Sequence, residues 1–177
     1  MNLKLIGFVS CLVTLTLLFP VETTVYADSD RFRSGSFGKK ITGAYLVREG
    51  VPKDNPTFFR LITLTADGNW LSTESHQQTV EFGFSDQQGV WKKSGRREIT
   101  ANVIDFDIDA VTGQPNGVTR IRFVMVFSKN FKEVSGNFFG EDFDLTQDPL
   151  NPEEIPRATF DGTFFGNRVT VEVDRDS

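Results

Sequence analysis

Between residues 41 and 173 the chain repeats one pattern: short runs of alternating apolar and polar residues, broken by clusters of Gly, Asp, Asn and Pro. A period of two turns one side of each run toward a core and the other toward water, which is the mark of a half-buried β-strand. No stretch carries the 3.6-residue period of a helix. About eight such segments joined by short turns predict an all-β fold, a single eight-stranded antiparallel up-and-down β-barrel.

The runs Lys40–Arg48, Thr57–Thr65, Asn69–Ser75, Gln87–Lys93, Glu98–Ile108, Val118–Ser128 and Lys132–Phe143 read as strands. A last pair is expected at Arg157–Phe165 and Arg168–Val173. Asp67-Gly68 marks a tight hairpin, Thr112–Gly117 a turn, and the Pro-rich acidic stretch Asp148–Pro156 a loop. In Glu98–Ile108 the apolar parity switches from Ile99, Ala101 and Val103 to Ile104, Phe106 and Ile108, which predicts a β-bulge or bend within the strand. In the seventh segment Val134, Gly136, Phe138 and Gly140 alternate small and large, as a tapering barrel interior requires.

The start of the chain has the layout of a secretory signal peptide over residues 1–27. Lys4 gives a positive region, Leu5–Phe19 an apolar run too short to span a bilayer comfortably, and Val25-Tyr26-Ala27 a small-residue cleavage site. Residues 28–39 then form a flexible leader and residues 40–177 one barrel domain. The mature protein is expected to be secreted or periplasmic, the rival reading being that the segment stays uncleaved as an N-terminal anchor. Cys11, the single cysteine, is lost with the signal, so disulfides, thiolate metal sites and cysteine catalysis are excluded from the mature domain. The net charge of −5 and the scattered basic residues argue against nucleic acid, and against a membrane once the signal is removed. Sixteen of the 18 phenylalanines follow residue 27. A ring without a hydrogen-bonding tip favours a dry interior.

The runs Thr65-Ala66-Asp67-Gly68-Asn69-Trp70, Ser85-Asp86-Gln87-Gln88-Gly89-Val90-Trp91 and Gly95-Arg96-Arg97-Glu98-Ile99-Thr100-Ala101 resemble small exported proteins with lipocalin-like, calycin-type barrels. They are similar, more distantly, to barrels of the allene oxide cyclase type. Lipocalins carry Gly-x-Trp in their first strand; here that place holds Gly43-Ala44-Tyr45, and the tryptophan versions fall later, at Trp70 and Trp91. The resemblance implies barrel architecture and carries over no catalytic residue.

No catalytic motif stands out. His76, the only histidine, reads as a general acid or base or as a solvated residue on a polar strand end. Asp105, Asp107 and Asp109 resemble the start of a calcium loop, but Ala110 and Asn116 stand where an EF-hand wants Gly and Glu; period two instead puts the three on a solvated outer face, opposite Phe106 and Ile108. Arg120 and Arg122 face outward, opposite Ile121, Phe123, Met125 and Phe127. Arg60 lies between two equally apolar faces. Pointing inward, it becomes a lone cation in a phenylalanine-lined cavity, suited to a carboxylate head group. Glu81 is a candidate for the barrel mouth, and Trp70 and Trp91 are either packing plugs or stacking platforms. With Phe123 and Phe138 these make up the candidate ligand-binding set: Arg60, Trp70, Glu81, Trp91, Phe123 and Phe138.

Eight strands enclose an interior that is either just filled or holds one small ligand. The leading expectation is thus an exported barrel that binds a small apolar or amphipathic molecule, with no cofactor and no metal. A cyclase or isomerase that folds an apolar substrate into a reactive conformer is the alternative. A packed structural or protein-interaction barrel is the third. Oligomeric state is not legible in the sequence.

Overall fold

The computed structural model describes residues 35–50, 58–77 and 83–171. The signal segment, residues 28–34 of the leader, the Pro52/Pro56 loop and Glu81 lie outside the described residues. Eight strands form: β1 (Gly43–Glu49), β2 (Phe58–Leu64), β3 (Asn69–Glu74), β4 (Gln87–Gly95), β5 (Glu98–Ile108), β6 (Pro115–Phe127), β7 (Glu133–Phe143) and β8 (Ala158–Arg168). Each pairs antiparallel with the next, and β8 returns to β1 with Val47 opposite Gly166, so the sheet closes as an up-and-down barrel. Closure removes both sheet edges.

Three local expectations are corrected. Residues 35–39 of the expected flexible leader, together with the expected start of the first strand, form a short helix α1 (Gly35–Ile41). Phe37 and Ile41, four residues apart, share its buried face, and seven residues are too few to show a helical period in sequence. Tyr45 Oη donates to the carbonyl of Ile41 at 2.9 Å. The Arg168 guanidinium lies 5.9 Å from the centre of the Tyr45 ring and donates to the carbonyls of Lys40 and Thr42, tying helix, first strand and last strand together.

Of the last pair of segments only the first forms a strand, β8, which runs on to Arg168; residues 169–171 are not strand, and 172–173 lie outside the described residues. Gly166 is no turn: a Cβ there would come within 2.2 Å of the Leu46 carbonyl oxygen, so the glycine serves the close approach of β1.

β5 keeps its parity instead of switching it. Its register against β6 runs unbroken from Glu98 to Asp107, and the shift comes only at Ile108. Ile99, Ala101, Val103 and Asp105 therefore all face inward, and Phe106 is 56% exposed on the outer wall. The outer-face reading of Asp105 is reversed, because the inner face itself turns polar along the strand.

That change recurs around the barrel. The inner faces read Tyr45, Val47, Glu49 on β1; Leu64, Ile62, Arg60 on β2; Trp70, Ser72, Glu74 on β3; and Trp91, Gly89, Gln87 on β4. On β6 they run from Phe127 through Phe123 to Thr119. The end carrying α1 is apolar and filled: Phe37 packs edge-on to Trp91, Phe127 and Phe131, and Tyr45 packs on Phe127. Each such buried side chain contributes roughly 1.5–3 kcal/mol. The opposite end carries the polar residues and, among the described residues, is open.

Candidate functional site

At the open end lies a cavity of about 690 Å³ bounded by all strands except β1's apolar half and the closed-end halves of the others. Its floor is a buried charge network centred on Arg60, which is 3% exposed. Arg60 Nε stands 2.6 Å from Glu49 Oε1, and a second guanidinium nitrogen pairs with Glu74 Oε1. The third, Nη1, donates to Gln87 Oε1 at 2.6 Å. The face of the guanidinium lies 4.7 Å from the centre of the Phe123 ring and 5.6 Å from that of Phe138.

Gln87 joins the positive and negative halves. Its carbonyl accepts from Arg60 and from Ser72 Oγ at 2.8 Å, and its amide nitrogen donates to Glu74 Oε1 at 3.1 Å and Asp105 Oδ2 at 2.8 Å. All four contacts agree on one orientation of the amide. Below it, Trp70 Nε1 donates to Ser72 Oγ at 2.9 Å, so a chain of donors runs from the packed core to the cavity floor. Asp105 Oδ1 is buried and has no hydrogen-bond partner among the described residues.

Burial dominates the protonation of this floor. It pushes Asp105 up to about 7, against the lowering effect of the Gln87 hydrogen bond and with the help of Asp107. Glu49 and Glu74 are raised for the same reason, the attraction of Arg60 offsetting only part of the burial. Two carboxyl groups thus pair with one guanidinium, and a third, Asp105, is joined to it through Gln87.

The walls are aromatic. On β7 and β8 the register places Gly136 opposite Phe164, Phe138 opposite Gly162 and Gly140 opposite Phe160. Each ring covers the glycine across from it: a Cβ on Gly140 would meet the Phe160 ring at 2.1 Å, and one on Gly162 the Phe138 ring at 2.6 Å. The rings lie along the wall instead of crossing the lumen, which keeps this side open. The small-large alternation expected on the seventh segment thus has a cross-strand cause. At the rim, His76 stacks on Phe58 at 3.7 Å between centroids and meets Phe84 edge-on. Its Nδ1 lies 3.3 Å from Glu74 Oε2 and its side chain is 15% exposed, so the solvated reading of His76 is corrected; burial lowers its pKa. Opposite, Arg157 pairs with Asp107 at 2.8 Å, within reach of Asp142 and Asp144, and Thr119 Oγ1 donates to Asp107. This latch ties the ends of β5, β6 and β7, and burial raises the Asp107 pKa.

Of the sequence candidates, Arg60 and Phe138 line the cavity. Arg60 points inward but is not a lone cation: it is paired with Glu49 and Glu74. Trp70 and Phe123 are stacked at 4.8 Å beneath the floor, and Trp91 packs at the closed end against Phe37. Glu81 lies outside the described residues. Arg120 pairs outside with Glu141, as its parity requires. Glu49, Glu74, Gln87 and Asp105 were missed. Their signal was present: each stands in step with the inward apolar residues of its own strand. A second depression of about 540 Å³ lies on the outer wall near Arg48, Arg97 and Asn167, away from this network.

Fold and site together define a closed eight-stranded antiparallel barrel, compatible with a lipocalin-like architecture, whose one open end holds a charged floor under aromatic walls. No known protein family, curated protein or solved structure matches the chain.

Proposed function

We propose that the protein is an exported barrel that holds one small amphipathic molecule in its open end. The observation that carries this reading is the 690 Å³ cavity itself, a size typical of small-molecule sites, with few convergent polar groups and otherwise aromatic walls. A head group would reach the Arg60–Gln87–Asp105 floor, and an apolar body would lie along Phe138, Phe160, Phe58 and Phe84. Export rests on the signal-like layout of residues 1–27. A filled structural barrel is disfavoured by the same cavity.

The cyclase or isomerase reading has one observation in its favour. Asp105, held near pH 7 at the base of an apolar-walled cavity, has the protonation behaviour of a general acid or base. Native mass spectrometry of residues 28–177, isolated gently from the source, separates the readings. Binding predicts a reproducible adduct of small-molecule mass that organic solvent removes. A bare mass, together with no response of tryptophan emission to any apolar probe, contradicts it.

A further inference from the structure

Resting on that reading, we infer that the cavity selects a cationic head group: an organic ammonium on an apolar body, seated with an N–H toward Asp105 Oδ1. The argument is one of charge and satisfaction. Glu49, Glu74 and Asp105 face a single resident cation, Arg60. Arg60 is already engaged by Glu49, Glu74 and Gln87, and the other nearby guanidinium, Arg157, is held at the rim by Asp107. His76, the remaining titratable base at the cavity, has its pKa lowered by burial and by Arg60. Asp142 on β7 adds further negative charge to the wall, and Thr119 on β6 brings only a hydroxyl shared between Asp107 and Asp142. Facing Asp105 from every side, the groups therefore sum to an excess of acid.

One acceptor is left over. Asp105 is 3% exposed, lines the cavity, and offers Oδ1 with no donor among the described residues. A buried acceptor without a partner costs about 1–3 kcal/mol until a donor arrives. A carboxylate ligand brings no donor and adds repulsion; an alcohol brings one donor and no charge; an ammonium brings both. The aromatic walls favour the same choice, since Phe138 and Phe160 present ring faces and edges beside the floor. Among the described residues no three His, Cys, Asp or Glu are grouped to hold a metal ion.

The test uses three probes of one shape, phenylbutylamine, phenylbutanol and phenylbutyrate, titrated calorimetrically into the mature protein. At pH 8 the amine should bind about tenfold or more tighter than the other two, a gap of roughly 1.4 kcal/mol. At pH 7 its binding should release protons, read as a dependence of the heat on the buffer's ionisation enthalpy, and at pH 5 the preference should collapse. Asp105→Asn should bring the amine down to the alcohol's affinity. The pH comparison needs no variant, so poor folding of Asp105→Asn leaves the test intact. Equal binding of all three, or a preference for the carboxylate, overturns the cationic assignment and leaves the cavity reading standing. Failure of all three probes, with a bare native mass, takes down both.

Discussion

The two ends of this barrel are made from the same strands and differ in almost everything else. At the closed end Phe37, Tyr45, Trp91, Phe127 and Phe131 interlock ring against ring, and α1 seals the lumen. At the open end, two or three residues further along each inner face, Glu49, Arg60, Glu74, Gln87 and Asp105 meet around an unfilled volume. One end obtains its stability from burying apolar surface. The other holds charges out of water, which adds little net stability and is worthwhile only if the charges do something. The comparison teaches that strand alternation sets where a side chain points, and position along the strand sets what it is for.

The comparison can be broken by cutting each end in turn. Phe127→Ala, at the centre of the aromatic cluster and 1% exposed, should lower unfolding free energy by about 3–5 kcal/mol, equally at pH 5 and pH 8, in urea titrations. Arg60→Met should lose a similar amount at pH 8, about 3–5 kcal/mol, because it strands the buried carboxylates of Glu49 and Glu74. At pH 5 Glu74, pushed up to about 7, is protonated and the loss should shrink; a pH-independent loss would mean that the carboxylate is not paired with Arg60.

The intact protein should show the same asymmetry more weakly. The folded pKa of Asp105, about 7, lies above its ordinary value of 3.8. A raised carboxyl contributes stability that is complete below about pH 4 and disappears as pH climbs through 7. Thermal and urea stability should therefore fall between pH 5 and pH 8 by on the order of 2–4 kcal/mol for the Asp105 and Glu74 pair. A rise over that interval would contradict the network. The smallest effect belongs to the outer wall: Phe106→Ser should cost under about 1 kcal/mol in the same titration, since the ring is mostly solvated. A loss of core size would place Phe106 inside.

Much of the fold is legible in the residues. Alternation locates all eight strands, and the Asp67-Gly68 turn falls between two of them, whereas the expected turn at Thr112–Gly117 ends early because β6 already begins at Pro115. The parts that were not legible share one physical cause. Sequence patterning treats polarity as a report of solvent exposure, and a lumen that opens to water inverts that rule over its last turn of residues. Asp105 and Phe106 show it most plainly: hydrophobicity assigns the phenylalanine to the core, and the unbroken β5–β6 register assigns the aspartate. Glu49 and Glu74 look like ordinary strand ends until the barrel closes and brings Arg60 between them. α1 escapes notice because one buried face of two residues is shorter than any period. Gly166 reads as a turn because a close backbone approach and a turn ask for the same residue.

The central claim is that a charged, buried floor stands at the open end of the barrel, and Asp105 is its most exacting member. Carbon-detected NMR of the side-chain carboxyl groups, titrated from pH 3 to pH 9 in the mature protein, follows that residue directly. An Asp105 midpoint near 7, moving downward when an amine probe is added, is the predicted result. A midpoint near 3.8, the ordinary value of a solvated aspartate, would put Asp105 on the outer wall and contradict the account.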